Sequence, residues 1–124
     1  LKDMPTAPVD GLIIGCVPAR ATPFDALVCR THGSLAALPS GAVVGTSSIR
    51  RVMQLAAVRP DLVIKPIRGN VDTRLGRLDA GDYDALVLAA AGLERMGLGD
   101  RVTALLEPPQ FWPAVGQGAL GLQV

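Results

Sequence analysis

The chain has 124 residues and is 49% hydrophobic, enough for one ordinary domain with a buried core. Its net charge of only +1 argues against a general nucleic-acid or membrane-binding surface, and no apolar run reaches the length of a membrane span. Cys16 and Cys29 lie in apolar, strand-like contexts. This setting indicates buried thiols rather than a disulfide, and a cytoplasmic location.

Short apolar runs alternate along the chain with segments of helical spacing, and turn residues separate them. In chain order we predict a buried strand at 11–17, a strand at 25–29, a short helical turn at 34–38, a strand at 42–45, a helix at 48–58, a strand at 62–67, a helix at 71–80, a strand at 84–89, a helix at 90–96, a short helix near 100–106, an irregular segment at 110–118 and a strand at 119–124. Such alternation is typical of parallel β-α-β units in an α/β domain, with 42–45, 62–67 and 84–89 as parallel neighbours.

Two of the strand-to-helix junctions carry four arginines. The first, at 45–51, ends in Arg50 and Arg51, and the second begins with Arg68 and ends with Arg74. Small hydroxyl and amide residues at a helix start cap free N–H groups, and the same N–H groups favour anions. Ligands of such sheets lie at the carboxyl ends of the strands. Because the guanidinium fork matches carboxylates and phosphates, the junctions predict a site for a small polyanion.

Basic charge is concentrated around these junctions, which suits a site better than a general charged face. Between residues 45 and 77 the acidic residues are Asp61 and Asp72, and the basic residues are Arg50, Arg51, Arg59, Lys65, Arg68, Arg74 and Arg77. Two classes of function other than an enzyme stay open. One is a non-catalytic anion-binding module of the periplasmic-binding type, and the other is a nucleic-acid or phosphate binder. Aromatic residues form only 3% of the chain, which weighs against single-strand stacking.

Five motifs, in order along nearly the whole chain, resemble the porphobilinogen deaminase family, also called hydroxymethylbilane synthase. They are Lys2-Asp3-Met4-Pro5, the junction at 45–51, the segment at 67–75, the Leu-Ala-Ala-Ala-Gly-Leu run at 88–93 and Ala-Val-Gly-Gln-Gly-Ala at 114–119. The resemblance implies a periplasmic-binding-protein-like (type II), three-layer α/β domain with a mostly parallel central sheet. We expect a piece of a larger protein: residues 1–20 would end domain one, 21–112 would form domain two, and 113–124 would return to domain one.

The resemblance also implies an activity for the parent protein. That protein would be a transferase of haem and tetrapyrrole biosynthesis that joins four porphobilinogen molecules into hydroxymethylbilane and releases ammonia. The reaction takes place on a covalently bound dipyrromethane cofactor, whose attachment cysteine we expect outside this chain because neither cysteine follows Gly-Gly. Expected partners are porphobilinogen, pyrrole-chain intermediates and the remaining domains of the enzyme, without nucleic acid or membrane. We expect the parent to be a monomer and the isolated chain to be inactive.

Residue roles follow from the matching motifs. Asp3 corresponds to the catalytic aspartate and Lys2 to a neighbouring ligand of carboxylates, while Gln117 would lie at the interdomain crossover. The expected carboxylate-binding arginines are Arg50, Arg51, Arg68 and Arg74, and the further donors are Thr46, Ser47, Ser48 and Asn70. No metal site is expected.

Overall fold

The computed structural model describes all of residues 1–124 and contains two separate sheets. Its elements are β1 (Ile14–Cys16), β2 (Asp25–Cys29), β3 (Val43–Gly45), α1 (Ile49–Val58), β4 (Val63–Lys65), α2 (Val71–Asp79), β5 (Ala85–Ala89), α3 (Ala90–Arg95), a 3₁₀ helix (Gly99–Arg101), β6 (Ala104–Leu106) and β7 (Leu122–Gln123). None of the helices is long and apolar enough to cross a membrane.

The main sheet has five strands in the order β4-β3-β5-β2-β6. β3 is parallel to both β4 and β5, so the three predicted parallel neighbours are confirmed. β2 is antiparallel to β5 and to β6, which makes the sheet mixed. Because Asp25 opens β2 and pairs with Ala89 at the end of β5, it lies at the carboxyl edge of the parallel strands. This reversal brings an acidic residue to the edge that carries the arginines.

Two hydrophobic clusters cover opposite faces of the main sheet. Successive strand residues point to opposite faces, and accordingly Leu27 belongs to one cluster and Val28 to the other. The cluster that contains Val28 includes Leu78 of α2, whereas the cluster that contains Leu27 includes Leu55 of α1. Helices therefore pack on both sides of the sheet, and this sandwich fixes where α1 and α2 begin.

The start of α2 follows its local sequence closely. The Asn70 side chain accepts a hydrogen bond from the backbone N–H of Thr73, as expected for a helix cap. The helix ends at Asp79, and Gly81 follows with a φ of 87°. The predicted cap and stop of this helix are thus confirmed.

The strand predicted to be buried at 11–17 is wrong in its length and environment. Only Ile14–Cys16 is a strand, and it pairs antiparallel with β7 in a two-stranded sheet. Ile13 is 69% exposed and Cys16 is exposed as well, because no helix packs on this small sheet. The strand predicted at 119–124 shortens to Leu122–Gln123. Apolar composition predicted the strands, but not whether another layer covers them.

The short turn predicted at 34–38 is present as a turn at 35–37, and the Arg59 guanidinium holds this segment by donating to the carbonyls of Leu35 and Leu38. The short helix predicted near 100–106 is wrong. The segment near 100–106 divides into a 3₁₀ helix and strand β6. β6 forms because the apolar run at 104–106 finds β2 as a hydrogen-bonding partner, a non-local preference that overrides helical spacing.

Candidate functional site

A completely buried carboxylate, Asp25, lies at the centre of the first junction. Its Oδ2 accepts a hydrogen bond of 2.7 Å from Nη1 of Arg50. Its Oδ1 accepts bonds from Nε and Nη2 of Arg51 at 3.0 and 2.7 Å. The side-chain amide of Gln117 donates to the same Oδ1 at 2.9 Å. Asp25 therefore joins the start of α1 to the segment that contains Gln117.

The two arginines of this junction have different environments. Arg51 is 7% exposed, and its third nitrogen, Nη1, donates to the carbonyl of Val87 at 2.9 Å. The Arg50 side chain is 25% exposed, and its Nη1 also reaches the carbonyl of Trp112 at 2.6 Å. Arg51 is thus enclosed in the protein, while Arg50 keeps Nε and Nη2 without a partner in the chain.

The electrostatics of the cluster favour an ionised carboxylate. Burial raises the pKa of Asp25, but the hydrogen bonds from Arg50 and Arg51 and the charge of Arg51 outweigh it, so the pKa lies below its usual value. Burial lowers the pKa of Arg51, and Asp25 offsets part of that effect. The positive charges of Arg50 and Arg74 lower the pKa of Arg51 further. The charges of Arg50 and Arg74 therefore lie close enough to Arg51 to affect it.

Gln117 links this cluster to the Lys2-Asp3 motif. Gln117 is completely buried; its amide nitrogen also donates to the carbonyl of Pro23 at 2.7 Å, and its Oε1 accepts from Nζ of Lys2 at 3.3 Å. Gly118 follows with a φ of 81°, and a Cβ there would lie 2.5 Å from the carbonyl oxygen of Thr22. Because that neighbour is backbone, only glycine allows the two chain segments to approach so closely.

The hydroxyl residues of the first junction mainly connect backbone segments. The Ser47 hydroxyl donates to the carbonyl of Ile67 at 2.8 Å and accepts from its N–H at 3.0 Å. Buried Thr46 accepts a hydrogen bond from the N–H of Ser48 at 3.2 Å. The Ser48 side chain, at the start of α1, makes no capping bond. Its hydroxyl is consequently the one most available to a ligand.

The second junction is exposed. Arg68 lies on the surface and makes no side-chain hydrogen bond or salt bridge within the chain. It lines a cavity of about 320 Å³ together with Thr46 and Ser47. Arg74 is half-buried and donates from Nε to the carbonyl of Gly69 at 2.8 Å. The free guanidinium in this junction is therefore that of Arg68.

A second cavity, of about 230 Å³, places Lys2 and Asp3 beside Gln117 and Arg95. Arg95, near the end of α3, donates to the carbonyl of Gly118 at 2.7 Å. Sequence reasoning did not identify Arg95, since a lone arginine at a helix end has no distinctive pattern. It also missed Asp25, because the sequence does not indicate the direction of β2, which decides the edge of the sheet at which this residue lies.

The structure thus brings the expected site residues together in three groups rather than one. Arg50, Arg51 and Gln117 surround Asp25; Lys2 and Asp3 share a cavity with Gln117; and Thr46, Ser47 and Arg68 share another. The Oδ1 of Asn70 is occupied by its capping bond. All three groups adjoin the carboxyl ends of β3, β4 and β5, where α/β sheets place ligands.

Comparison with known proteins shows the family of the chain. The family model described as "Porphobilinogen deaminase, dipyromethane cofactor binding domain" matches residues 1–124, and the chain belongs to the porphobilinogen deaminase family. It is 59% identical to the porphobilinogen deaminase of Bordetella parapertussis, covering 100% of this chain and 40% of that relative. It is 56% identical to that of Bacillus subtilis, covering 99% of this chain and 40% of the relative. The chain therefore spans about two fifths of the length of these relatives.

Among solved structures, a candidate lipoprotein from Actinomyces odontolyticus superposes with a TM-score of 0.51. The sequences are 17% identical, and the match covers 82% of this chain and 48% of the other. At this identity the similarity concerns the fold alone.

Proposed function

We propose that this chain is part of a hydroxymethylbilane synthase. The complete enzyme would join four porphobilinogen molecules into hydroxymethylbilane, with release of ammonia, on a covalently bound dipyrromethane cofactor. Membership of the family and the identity to proteins named porphobilinogen deaminase support the activity. The observation that carries the proposal at residue level is a row of cationic donors at one sheet edge, with Arg68 unpaired. Such donors suit the acetate and propionate groups of pyrroles.

The donor set fits a pyrrole carrying several carboxylates. Arg50 retains free nitrogens, Arg68 is unpaired, and Ser48 has an unused hydroxyl at a helix start. When bound, dipyrromethane supplies the primer to which pyrrole units are added. Its carboxylates and those of the substrate would be held by Arg50, Arg68 and Arg74 with Ser47, Ser48 and Asn70, while the buried residues Arg51 and Thr46 would keep these donors in position. Gln117 would hold the crossover beside them.

Asp3 is the proposed catalytic residue. Its carboxylate makes no salt bridge or side-chain hydrogen bond within the chain, so it is free to accept from a pyrrole N–H. A fixed negative charge there would stabilise the positive charge that develops on the substrate as ammonia leaves. Lys2 lines the same cavity and would bind a neighbouring carboxylate.

We further propose the division into residues 1–20, 21–112 and 113–124, within a type II periplasmic-binding-protein-like architecture. The separation of the β1–β7 sheet from the five-stranded sheet supports this division. The remaining domains of the enzyme would be partners of this chain. The complete protein would be a cytoplasmic monomer.

The test is the Asp3→Asn variant of the complete protein, which keeps the shape of the side chain and removes its charge. Porphobilinogen binding should persist, while kcat should fall on the order of a hundredfold or more, because the lost interaction belongs to the transition state. Asp10→Asn, at an exposed loop position, is the matched control and should retain wild-type turnover. Near-normal turnover of Asp3→Asn, or no hydroxymethylbilane from the wild-type protein, would contradict the proposal.

A further inference from the structure

Asp25 connects three parts of the chain that the fold brings to one edge of the sheet. Its carboxylate contacts Arg50 and Arg51 at the start of α1, and Gln117 in the crossover segment. The Gln117 side chain also accepts a hydrogen bond from Lys2, so it connects Asp25 to Lys2. We propose that Asp25 is a positioning residue that orients Arg50 toward ligand carboxylates and, through Gln117, holds Lys2 beside Asp3. This inference rests on the proposed function.

The burial of the charge is the first argument. Asp25 is 0% exposed, and Arg51 is nearly as enclosed. A buried ion pair often contributes little net stability compared with apolar residues of similar size, because both charges must leave water. Breaking one partner is nevertheless costly, so the pair is a rigid unit once it has formed. Rigid placement of the guanidinium groups is therefore the main consequence of this carboxylate.

The geometry of Arg50 is the second argument. A single nitrogen, Nη1, bridges the Asp25 carboxylate at 2.7 Å and the Trp112 carbonyl at 2.6 Å. The carbonyl is anchored in turn, since Nε2 of Gln54 donates to it at 3.1 Å. The two contacts clamp the guanidinium at one end and leave Nε and Nη2 without partners. A flexible side chain is thus held in one orientation before a carboxylate arrives, which reduces the entropic cost of binding.

The connection to Lys2 is the third argument. The Gln117 amide nitrogen donates to Asp25 and to the Pro23 carbonyl, which fixes the amide plane and turns Oε1 toward Nζ of Lys2. Without an acceptor at Asp25 the amide would lose one of the two contacts that orient it. Lys2 and its neighbour Asp3 would then be less well placed in their shared cavity.

The experiment compares variants of the complete enzyme in steady-state kinetics with porphobilinogen. Asp25→Asn replaces one carboxylate oxygen by an amide nitrogen and leaves one carbonyl oxygen, whose two lone pairs can be occupied by Nε and Nη2 of Arg51. It should therefore raise KM about tenfold by releasing Arg50, and lower kcat about tenfold by releasing Gln117 and Lys2. Gln117→Leu should lower kcat while KM stays near the wild-type value. The double variant should show the kcat of Asp25→Asn within about twofold, because both changes act through the same contact.

Asp84→Asn is the matched control. Asp84 precedes β5 at the opposite edge of the sheet, where its Oδ2 accepts from the N–H of Val43 at 2.8 Å. Its loss should lower thermal stability without changing KM or kcat. If Asp25→Asn behaves in the same way, Asp25 has only a structural role and the inference is overturned. Additive kcat losses in the double variant would overturn the connection through Gln117.

Two further measurements cover the cases in which kinetics would not decide. If Asp25→Asn fails to fold, Asp25→Glu keeps the buried negative charge but moves the carboxylate by one methylene, and it should raise KM by displacing Arg50; an unchanged KM would overturn the inference. If the wild-type enzyme lacks turnover, the proposed function fails by itself. A crystal structure of Asp25→Asn then decides: displaced Arg50 and Gln117 side chains support the positioning role, and unmoved ones refute it.

Discussion

The two arginine-bearing junctions look alike in sequence but differ in structure. At the α1 junction, Arg51 is buried and paired with Asp25, while the α2 junction presents Arg68 to solvent without a partner. The α2 helix is capped by its own Asn70, whereas Ser48 makes no capping bond at α1. At the α1 junction the arginines are bonded to a buried carboxylate, and only Arg50 keeps free nitrogens. At the α2 junction the whole guanidinium of Arg68 is free.

The largest expected contrast between the junctions is in stability. Arg51→Met in the complete protein leaves the buried Asp25 carboxylate with fewer partners, and should lower the free energy of unfolding by about 3 kcal/mol. Arg68→Met removes an unpaired surface charge and should change it by less than about 0.5 kcal/mol. Urea unfolding followed by circular dichroism measures both. Equal losses in the two variants would show that the junctions do not differ in this way.

Ligand binding should show the reverse ranking. Arg68→Ala should weaken porphobilinogen binding about tenfold or more, since a hydrogen bond to a charged group contributes about 1.5–3 kcal/mol and 1.4 kcal/mol is tenfold. Arg101→Ala, which removes a half-buried arginine paired with Asp79, is the control and should bind normally. Isothermal titration calorimetry of the complete protein provides the dissociation constants. Unchanged affinity in Arg68→Ala would remove the second junction from the site.

A smaller contrast concerns the helix caps. Asn70→Ala should lower the free energy of unfolding by about 1 kcal/mol, because the bond to the N–H of Thr73 is lost. Ser48→Ala should leave stability nearly unchanged, since no capping bond exists to lose. Its effect should appear in porphobilinogen affinity instead. Chemical denaturation and calorimetry on the same samples separate the two effects, and a stability loss in Ser48→Ala equal to that in Asn70→Ala would be the adverse result.

The last contrast is in the dependence of stability on pH. The pKa of Asp25 is lower in the folded chain than its unfolded value of about 3.9. Its contribution to stability is therefore fully present above that unfolded value and is lost as pH falls through the folded pKa. Unfolding free energies measured between pH 6 and pH 2 should converge for wild type and Asp25→Asn at the acidic end. The unfolding free energy of Arg68→Met should follow the wild-type profile throughout. A difference in unfolding free energy between wild type and Asp25→Asn that stays constant with pH would refute the lowered pKa of Asp25.

A second carboxylate with a lowered pKa, Asp61, also makes stability depend on pH. Its hydrogen bonds from Arg59 lower its pKa to about 2. Because Asp61 is present in every variant compared, its contribution cancels in the differences. The remaining pH dependence then reports on Asp25.

The features predicted from sequence are those with local signals. The Asn70 cap, the strand at Asp25–Cys29 and the parallel β3, β4 and β5 follow from residue type and spacing, and are confirmed. The direction of β2 was not accessible in this way, because strand orientation depends on pairing with residues far along the chain. The same holds for β6, whose partner is β2.

In the candidate site, too, only the residues marked by local motifs could be predicted from the sequence. The junction arginines were identified from motifs, whereas the partner of Arg50 and Arg51 was not, because Asp25 has no local pattern that marks a buried carboxylate. Its position at the site results from the antiparallel direction of β2, which pairs Asp25 with Ala89 at the carboxyl edge. Expected ligand residues such as Ser47 also have backbone partners that no motif indicates. Their direct role in binding stays a prediction.

The central claim is that Arg68 and the free nitrogens of Arg50 bind the ligand while the Arg51–Asp25 pair stays intact. Its most direct test is a crystal structure of the complete protein with a bound pyrrole carboxylate. We expect a ligand carboxylate within hydrogen-bond distance of Arg68 and of the free nitrogens of Arg50. The Arg51–Asp25 pair should remain near its present 2.7 Å. A ligand that displaces Asp25 from Arg51 while Arg68 stays free in solvent would contradict the account.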